Sequence, residues 1–445
     1  MYQAIITPIM NIRPHPNADR LNIGLACNEQ VVISKDITEK TLGFFCPCDG
    51  QLSHEFCREN NLYSHKELNK DPEKAGFFGN NRRVKAQKFR GEISDGFWVP
   101  LDTLAFTGDI STLKEGDQFT ELNGTPICNK YYTPATMRGM GGGPNKQKTK
   151  QKNLFKVPYF KEHWDTAHLL RCVGQIPSGA ILSITQKCHG TSGRTGRALR
   201  IKELNRFQKL WNKTIGRLGP QFSDRDWVHV TGTRRVVLDP KTTEDKGFYS
   251  GKQFRTILHD KIRSIGLRQG ETLYYEIIGY DDSGAAIMGS STLDKELAKK
   301  VGIDKKDYEA FVAQYGETIV YSYGCQPGEY KLLVYRITQT SDDGHAVELS
   351  YNQVISRCRE LGLEYVPVLV EPFIYDGDRD KLITLCQQLA EGTDVIDKRH
   401  IREGVVVRVE AIGIDTNYKL KGFWFRLLEG LVKEQETYVD AEEVS

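Results

Sequence analysis

The sequence predicts an α+β protein, in which an N-terminal β-barrel is followed by an α/β domain built on antiparallel sheets. Short β-type runs separated by turns fill the first part of the chain, whereas strands and helices mix from Leu154 onward. A chain of 445 residues is also too long for one comfortable hydrophobic core. We therefore expect a β domain at residues 1–130, a linker at residues 131–153 and an α/β domain at residues 154–445.

The N-terminal region has the strand spacing of a small barrel or sandwich. The runs YQAIITPI, LNIGLAC, EQVVISK and GFWVPL are separated by turns, and no convincing long helix lies between them. This region also holds four potential zinc ligands, namely Cys46, Cys48, His54 and Cys57. Their spacing lacks the usual knuckle and a second cysteine pair, so we expect free thiols rather than a zinc site.

Two stretches of the chain are strongly basic. Between Arg138 and Lys156 there are six Lys or Arg residues and no acid, in a Gly-rich and Gln-rich segment that has the composition of a flexible linker. Between Arg194 and Arg217 there are eight basic residues, against Glu203 alone. Basic stretches of this kind suit a polyanionic partner such as nucleic acid, although a charge run is more often only a solvated face.

The composition is that of an ordinary globular protein, with 39% apolar and 27% charged residues. The N-terminus has no apolar run of a signal peptide, and no stretch has the length and hydropathy of a membrane span. We expect a monomer in the cytosol or nucleus that is not secreted and has no membrane partner.

Three helices can be predicted in the α/β domain, at residues 197–215, 351–361 and 379–391. In the first of them, Leu204, Phe207 and Trp211 fall on one face at helical spacing. We expect this apolar stripe to pack into the core and the basic residues of the opposite face to meet solvent.

The segment Lys187-Cys188-His189-Gly190 is the first candidate for chemistry. It follows the apolar run ILSIT, so Lys187 should stand at the end of a strand before a glycine-containing turn. Such a position can hold a side chain rigidly while backbone N–H groups face a phosphate. A lone KxxG has little specificity, because an exposed lysine before a turn is far more common.

Four further segments follow in order, each with polar residues on an otherwise apolar strand. LYYEIIGY contains Glu276, YKLLVYRI contains Tyr335 and EGVVVRV begins with Glu403. YKLKGF contains Lys419 and Lys421, whose two-residue spacing places both on one face of a strand. An ionisable group on a buried strand needs a partner, because an unpaired buried charge is costly. The five segments together indicate one polar site.

The ordered set resembles the nucleotidyltransferase motifs of the covalent polynucleotide ligase and RNA-capping superfamily. KCHG is similar to motif I, YYEIIG to motif III, KLLVYRI to motif IIIa, EGVVVR to motif IV and KLK to motif V. TGTRRVV, with Arg234 and Arg235, is similar to the arginine-bearing motif between motifs I and III of RNA ligases.

The N-terminal region adds to this resemblance. HPNADRL at residues 15–21 and RRVKAQKFRGEISDGFWVPL at residues 82–101 are similar to a tRNA-binding oligonucleotide-binding (OB) fold. An OB fold placed before a ligase domain that ends soon after motif V resembles the Naegleria/Deinococcus-type RNA ligases. This resemblance implies ATP-dependent sealing of 3′-OH and 5′-phosphate RNA ends, including nicks in RNA duplexes or RNA/DNA hybrids, through a lysyl-AMP intermediate.

The same resemblance implies which residues bind the nucleotide. Lys187 would be the nucleophile that accepts AMP, and Gln186 and Gly190 would line the nucleotide site. Lys419 and Lys421 would contact phosphate and, together with a divalent metal, favour loss of the proton from the nucleophilic lysine.

The remaining roles concern metal, base and RNA. Glu403 and Glu276 would bind Mg²⁺ or Mn²⁺ directly or through water, and Glu276 could instead bind a ribose hydroxyl. Tyr335 would stack on adenine, and Arg234 and Arg235 would contact the 5′-phosphate or the RNA strand.

The motifs do not specify a single activity. His189 stands where many ligases have aspartate, and a neutral imidazole cannot hold a metal-bound water as a carboxylate does. A GTP-dependent RNA-capping guanylyltransferase has similar motifs, although its OB barrel usually follows motif V. The motifs also fit a DNA ligase or a non-catalytic RNA-binding protein, and the latter is disfavoured because every charged motif residue is present.

Overall fold

The computed structural model describes residues 2–139, 157–163, 166–215, 219–234, 236–238, 254–300, 303–410 and 417–434. The chain forms two compact units, of which the first comprises Met1–Tyr132 with Asp294–Ala310 and the second Thr133–Leu293 with Phe311–Ser445. Within the described ranges, no helix combines the length and the hydropathy needed to cross a membrane.

The first unit is mainly β-structure, as the N-terminal strand runs predict. Its strands are β1 (Ala4–Pro8), β2 (Met10–Pro14), β3 (Leu21–Ala26), β4 (Glu29–Ser34), β5 (Leu42–Pro47), β6 (Gly50–Leu52), β7 (Arg83–Val84), β8 (Gln87–Phe89), β9 (Glu92–Ser94), β10 (Gly96–Pro100), β11 (Gln118–Phe119), β12 (Glu121–Leu122), β13 (Thr125–Pro126) and β14 (Cys128–Lys130), with helix α1 at His54–Glu59 between β6 and β7. Its main sheets have the strand orders β10-β5-β1-β11, β2-β3-β4 and β14-β6-β7.

Both faces of the sheet β10-β5-β1-β11 are buried. Phe44 and Phe97 belong to a core on one face, whereas their chain neighbours Phe45 and Trp98 belong to a separate core on the other face. This alternation follows from the two-residue period of a strand. The first of these cores also holds two of the cysteines considered for zinc, Cys46 and Cys57.

The two N-terminal segments that resemble an OB fold lie against each other. The ring of His15 hydrogen-bonds through Nε2 to the carbonyl oxygen of Phe89 at 2.8 Å. The side chain of Asn17 donates to the carbonyl oxygen of Arg90 at 3.0 Å. The HPN turn after β2 is therefore joined to the β8–β9 hairpin by specific polar contacts.

The second unit mixes strands and helices. Its elements are α2 (Pro134–Gly139), β15 (Ala167–His168), α3 (Leu169–Cys172), β16 (Ile181–Lys187), β17 (Thr191–Ile201), α4 (Arg206–Lys213), β18 (Arg225–Gly232), α5 (Phe254–Ser264), β19 (Glu271–Gly279), β20 (Ser291–Thr292), β21 (Thr318–Ile319), β22 (Tyr330–Thr340), β23 (Ala346–Glu348), α8 (Tyr351–Leu361), β24 (Glu364–Tyr365), β25 (Val368–Ile374), α9 (Arg379–Ala390), β26 (Gly404–Glu410), β27 (Asn417–Lys421) and α10 (Phe423–Glu434). Between β20 and β21, the segment Asp294–Ala310 of the first unit contains α6 (Lys295–Lys300) and the start of α7 (Lys305–Tyr315).

The expected antiparallel sheets are present, and the α+β fold class is confirmed. One sheet has the order β15-β27-β26-β16-β25, and the other has the order β18-β17-β19-β22-β23 with β24 paired to β22. Most neighbouring strands are antiparallel, including β16–β26, β26–β27, β17–β19 and β19–β22. All five strands predicted to carry the motifs form.

Helices α3 and α9 pack on one face of the first sheet, and helices α5 and α8 pack on one face of the second. In the first sheet, Leu182, Val405 and Leu420 share a core with helices α3 and α9. In the second sheet, Leu273 and Val334 share a core with helices α5 and α8. Because side chains alternate along a strand, the polar motif residues between these positions lie on the opposite face of each sheet.

The predicted linker coincides in part with helix α2, which occupies Pro134–Gly139. The remainder of that prediction, residues 140–153, lies outside the described residues. The helices predicted at residues 351–361 and 379–391 are confirmed as α8 and α9.

The helix predicted at residues 197–215 is wrong in its first part and in its burial. β17 continues to Ile201 because its residues from Arg194 to Ile201 pair with β18, and α4 begins only after the N-cap Asn205. No side chain of α4 is buried, and Phe207 is 64% exposed. The apolar stripe therefore has the correct period for core packing but no core to face.

A buried ion pair fixes α8 to β19, the strand that carries Glu276. Arg357 donates two hydrogen bonds to Glu271, at 2.7 and 2.8 Å, and both side chains are buried. The hydrogen bonds to Glu271 raise the pKa of the Arg357 guanidinium above its ordinary value. A buried charge that loses its partner is strongly destabilising.

We predict that Arg357→Met lowers the free energy of unfolding by about 3 kcal/mol or more, because Glu271 would be left buried and uncompensated. Arg268→Met is the matched control, because the pair of Arg268 with Glu360 is largely exposed and should contribute less than about 1 kcal/mol. Chemical denaturation of both variants measures the difference. Equal losses would show that the Arg357 pair does not anchor α8.

Candidate active site

Three paired strands place the motif I and motif V lysines on either side of one glycine. In the ladder between β16 and β26, Lys187 lies opposite Gly404. In the ladder between β26 and β27, Gly404 lies opposite Lys421. Strands in a sheet are about 4.8 Å apart, so the backbones of the two lysines are about 10 Å apart across the central strand.

Gly404 is required by the close approach of β27. A Cβ atom at this position would clash with the backbone of Leu420 and Lys421. Any side chain would push β27 away from β26, and Lys421 would move with it. This is a physical reason for glycine directly after Glu403.

Glu403 lies between the two lysines and is the buried anion of the site. Its side chain is 0% exposed, and Oε1 lies 2.9 Å from the Nζ atom of Lys187 and 3.2 Å from the Nζ atom of Lys421. The Lys187 side chain is 20% exposed, so it reaches both the buried carboxylate and solvent. A carboxylate removed from water needs such compensation.

A second carboxylate, Glu429, also binds Lys421. The Nζ atom of Lys421 donates to both oxygens of Glu429 at 2.7 Å. Glu429 lies on α10, the helix that begins two residues after β27. Sequence reasoning missed this residue, and its only signal is an acid two helical turns after motif V.

His189 is enclosed by aromatic rings and faces Glu403. Its ring lies 4.7 Å from Tyr321 and 5.0 Å from Phe425, measured between centroids, and Nδ1 is 3.9 Å from Glu403 Oε2. Its backbone N–H donates to the Tyr323 hydroxyl at 2.5 Å. Burial lowers the pKa of the imidazole, and Glu403 opposes that shift only in part. At neutral pH the ring is therefore uncharged.

The turn after Lys187 lies against β19 at Glu276. A Cβ atom on Gly190 would lie 2.9 Å from Glu276 Cγ and would also clash with the carbonyl oxygen of Ile277. Ser192 lies opposite Glu276 in the β17–β19 ladder and donates to its Oε2 at 3.2 Å. The absence of a side chain at Gly190 thus brings motif I and motif III together.

Tyr335 belongs to the same region of the second sheet. Burial raises the pKa of its hydroxyl, Glu276 raises it further and Arg234 opposes this. Its ring lies 5.5 Å from the ring of His163, between centroids, and the His163 backbone N–H donates to the Arg234 carbonyl at 3.1 Å. Sequence reasoning did not identify His163. Arg235, the second arginine of that motif, lies outside the described residues.

The side chain of Gln186 is hydrogen-bonded to the segment before β26 and does not face an open pocket. Its Nε2 donates to Asp394 Oδ2 at 2.7 Å, and its Oε1 accepts from the Val395 N–H at 2.9 Å. Asp394 is fully buried, and burial raises the pKa of its carboxyl. The side chain of Gln186 is therefore engaged by the protein, and it fixes the strand end that carries Lys187.

Lys419 lies on β27 two residues before Lys421. It is opposite Val406 on one side and pairs with His168 of the parallel strand β15 on the other. Both lysines are half-buried, whereas the intervening Leu420 belongs to the helix-covered core. The two ammonium-bearing side chains thus share the face of the sheet that carries Lys187.

The described part of the site offers few carboxylates to a metal ion. Within the described ranges, no cluster of three or more His, Cys, Asp or Glu side chains could hold a metal. Glu403 is the buried carboxylate nearest Lys187, so it is the side chain best placed to contribute. Mg²⁺ and similar ions are commonly bound by one or two carboxylates together with phosphate oxygens and water.

We predict that Gln186→Ala destabilises the protein by about 2 kcal/mol, because the buried carboxylate of Asp394 would lose a direct donor. Gln353→Ala is the control, since that glutamine acts in an exposed helix cap and should cost under about 1 kcal/mol. Urea denaturation gives both values. A wild-type stability for Gln186→Ala would mean that Asp394 does not depend on this contact.

Comparison with known proteins is consistent with this geometry. A search of curated protein sequences finds no match. Among solved structures, Naegleria gruberi RNA ligase with PPi matches with a TM-score of 0.56 and 15% identity, covering 95% of this chain and 97% of that one. A variant of the same ligase with AMP and Mn matches with a TM-score of 0.54 and 13% identity, covering 98% and 99%.

These structural matches show a shared fold over nearly the whole chain. The family model described as RNA ligase matches residues 182–425. This range is more than half of the chain, and it contains every residue of the site from Lys187 to Lys421. The chain belongs to the RNA ligase family.

Proposed function

We propose that this protein is an ATP-dependent RNA ligase that joins 3′-OH and 5′-phosphate RNA ends through AMP bound covalently to Lys187. The observation that carries the proposal is that Lys187 and Lys421 lie on either side of Gly404 in three paired strands and that both contact the buried carboxylate of Glu403. The similar Naegleria ligase has been solved with ATP and Mn, with AMP and Mn, and with PPi. ATP is the substrate of such a first step, and pyrophosphate is its leaving group.

In the first step, the Nζ atom of Lys187 attacks the α-phosphorus of ATP. A P–N bond forms, the bond to the β-phosphate oxygen breaks and pyrophosphate leaves, while the amine loses its proton. The ammonium of Lys187 contacts Glu403 at 2.9 Å. This carboxylate can therefore serve as the counter-charge of the ammonium and as the acceptor of its proton. The neighbouring ammonium of Lys421 disfavours a second positive charge and favours the neutral amine.

Lys419 and Lys421 would bind phosphate oxygens where negative charge develops. Lys421 is held by Glu403 and Glu429 before nucleotide arrives, so its position is fixed in advance. Preorganised cations aimed at a developing charge lower the barrier because they need no reorganisation during the reaction. The phosphate would then share Lys421 with these two carboxylates.

The second sheet would bind the nucleoside. Tyr335 offers an aromatic ring for stacking on adenine, and Glu276 offers a carboxylate to a ribose hydroxyl or to a metal-bound water. Gly190 leaves room beside Glu276. Gln186 acts indirectly, because its side chain is bound to Asp394 and Val395.

Glu403, and through water Glu276, would hold Mg²⁺ or Mn²⁺. The small number of protein carboxylates suits a cation that keeps water and phosphate ligands. Such an ion neutralises charge on the phosphates. The neutral imidazole of His189 faces Glu403 and adds no negative charge of its own to this pocket.

Two further transfers complete the proposed reaction. A 5′-phosphate oxygen of RNA attacks the adenylyl phosphorus, the P–N bond breaks and Lys187 regains a proton. The 3′-hydroxyl oxygen then attacks the activated 5′-phosphorus, and AMP leaves. Arg234, and Arg235 beside it in sequence, would contact the 5′-phosphate or the RNA strand, as guanidinium groups bind phosphate well.

We also propose that residues 1–130 form an OB domain that adds RNA affinity. The supporting contacts are those of His15 and Asn17 with the β8–β9 hairpin, which join the two segments that resemble this fold. OB folds bind single strands through a basic groove and stacking side chains. Substrate choice can be tested with nicked duplexes that carry RNA or DNA on each side of the nick in all combinations, with GTP as the competing nucleotide.

We predict that Lys187→Ala fails to seal a 5′-phosphorylated nick but still seals a nick whose 5′-end already carries AMP. The variant lacks the nucleophile of the first two steps, whereas the last step needs only the pocket. Gel analysis of both substrates measures the outcome, with wild type as reference. Sealing of the 5′-phosphorylated nick by Lys187→Ala would place the nucleophile elsewhere.

We predict that Lys419→Ala and Lys421→Ala each slow adenylylation in a single turnover by about a hundred-fold or more. Lys421→Ala should also lower the melting temperature, since Glu403 and Glu429 would lose a cation. Lys381→Ala, on an exposed ion pair with Asp376, is the control and should leave the rate unchanged. Wild-type rates in both motif V variants would exclude a phosphate role for this pair.

A further inference from the structure

The segment between β17 and β18 carries a surface that has no role in the reaction proposed above. We call residues 202–215 and 219–224 the α4 lobe. It follows the last paired position of the two strands, where Ile201 lies opposite Arg225. Helix α4 is its only helix within the described residues.

The α4 lobe is held together by its own polar contacts. Asn205 and Gln208 form a capping box at the start of α4. Asn212 exchanges two hydrogen bonds with the backbone of Phe222, each at 2.8 Å, and Trp211 Nε1 donates to the carbonyl oxygen of Pro220 at 3.2 Å. The lobe therefore has a defined structure without burying its apolar side chains.

Its apolar side chains form one exposed patch. Phe207 is 64% exposed, Leu210 60% and Phe222 40%. The ring of Trp211 joins the two phenylalanines, with centroids 6.2 Å from Phe207 and 6.1 Å from Phe222. Exposed apolar patches bordered by polar residues are a common feature of interaction sites.

The charge on helix α4, which carries most of this patch, is positive. Helix α4 contains Arg206, Lys209 and Lys213 and no acidic residue, and all three cations are exposed. None of the three forms an ion pair with any residue that the structure describes, whereas the nearby Arg200 and Lys202 are paired with Asp226. Aromatic rings interleaved with unpaired cations suit single-stranded nucleic acid, whose bases stack and whose phosphates bind cations.

The distance from the pocket defines which part of an RNA could reach the lobe. β17 begins at Thr191, next to the Ser192–Glu276 contact, and ends at Ile201. Ten residues of extended strand span about 33 Å at about 3.3 Å each. A stacked strand rises by about 3.4 Å per nucleotide. The lobe is therefore roughly ten nucleotides from the junction.

We propose that the α4 lobe is a second RNA-binding surface, which stacks unpaired bases of the substrate on Phe207, Trp211 and Phe222 and binds their phosphates with α4 cations. This inference rests on the proposed RNA-joining activity. The lobe would give affinity for substrates with an unpaired segment about ten nucleotides from the junction. It would have no part in adenylylation of Lys187.

The experiment compares Phe207→Ser/Leu210→Ser with the control Ile374→Ser, whose side chain is an exposed apolar residue of β25. One nicked RNA duplex is short and blunt, and the others carry a single-stranded tail of increasing length on either side of the nick. Fluorescence anisotropy gives the Kd for each RNA, and sealing assays give KM and kcat. Adenylylation with ATP alone and the melting temperature are measured in parallel.

For the double variant we expect the Kd and KM of the long-tailed substrates to rise about ten-fold, since stacking one base typically changes affinity by about five-fold to a hundred-fold. The values for the blunt duplex, kcat and adenylylation should stay at wild-type levels. The Ile374→Ser control should not change any value. Unchanged binding of tailed RNA, or an equal loss for blunt and tailed RNA, would overturn the proposal.

A second variant tests the cations independently of the apolar side chains. Lys209→Gln/Lys213→Gln should lower the slope of log affinity against log salt by about one or two for tailed RNA. An unchanged slope would contradict phosphate binding by α4.

If the wild type binds tailed RNA through the lobe but neither adenylylates nor seals, the proposed enzymatic function fails while the lobe remains an RNA-binding surface. If instead the apolar variant only abolishes self-association, the partner is a second protein copy and the RNA proposal is wrong.

Discussion

The structure of the candidate site depends on one buried carboxylate, Glu403, and the two ammonium groups that compensate it. Burying this anion is unfavourable unless its partners are positioned accurately. Those partners, Lys187 and Lys421, come from different strands, so the β16-β26-β27 register must be correct before the charge can be buried. Gly404 permits that register because any Cβ would separate β26 from β27. The same contact that stabilises the carboxylate places a lysine where it can meet a nucleotide.

The two sheets contribute different residues to the site. The first carries the lysines, and the second carries Glu276 and Tyr335 on the face away from helices α5 and α8. Gly190 and Ser192 join them, since one leaves space beside Glu276 and the other donates to it. Helices α3 and α9 cover one face of the first sheet, and helices α5 and α8 cover one face of the second. The polar residues of the site lie on the opposite faces, so the site depends on this separation of apolar and polar faces.

Much of this arrangement could be predicted from the sequence, because strand periodicity is a local property. The five motif strands, and the shared face of Lys419 and Lys421, follow from spacing alone. Contacts between different secondary-structure elements could not be predicted in this way. Glu429 reaches Lys421 from the next helix, and the side chain of Gln186 is bound by a residue more than two hundred positions away. The exposure of α4 was also missed, because periodicity shows that a helix has an apolar face but not what covers it.

The central claim is that the register around Glu403 makes Lys187 the nucleophile. The most direct test is to incubate the full-length protein with ATP and Mn²⁺, digest it under conditions that preserve a P–N bond, and locate AMP on its peptides by tandem mass spectrometry. We expect AMP on Lys187 and on no other lysine, with the adduct lost when pyrophosphate is added back. AMP on Lys419 or Lys421, or sealing of RNA without any covalent AMP, would contradict this account.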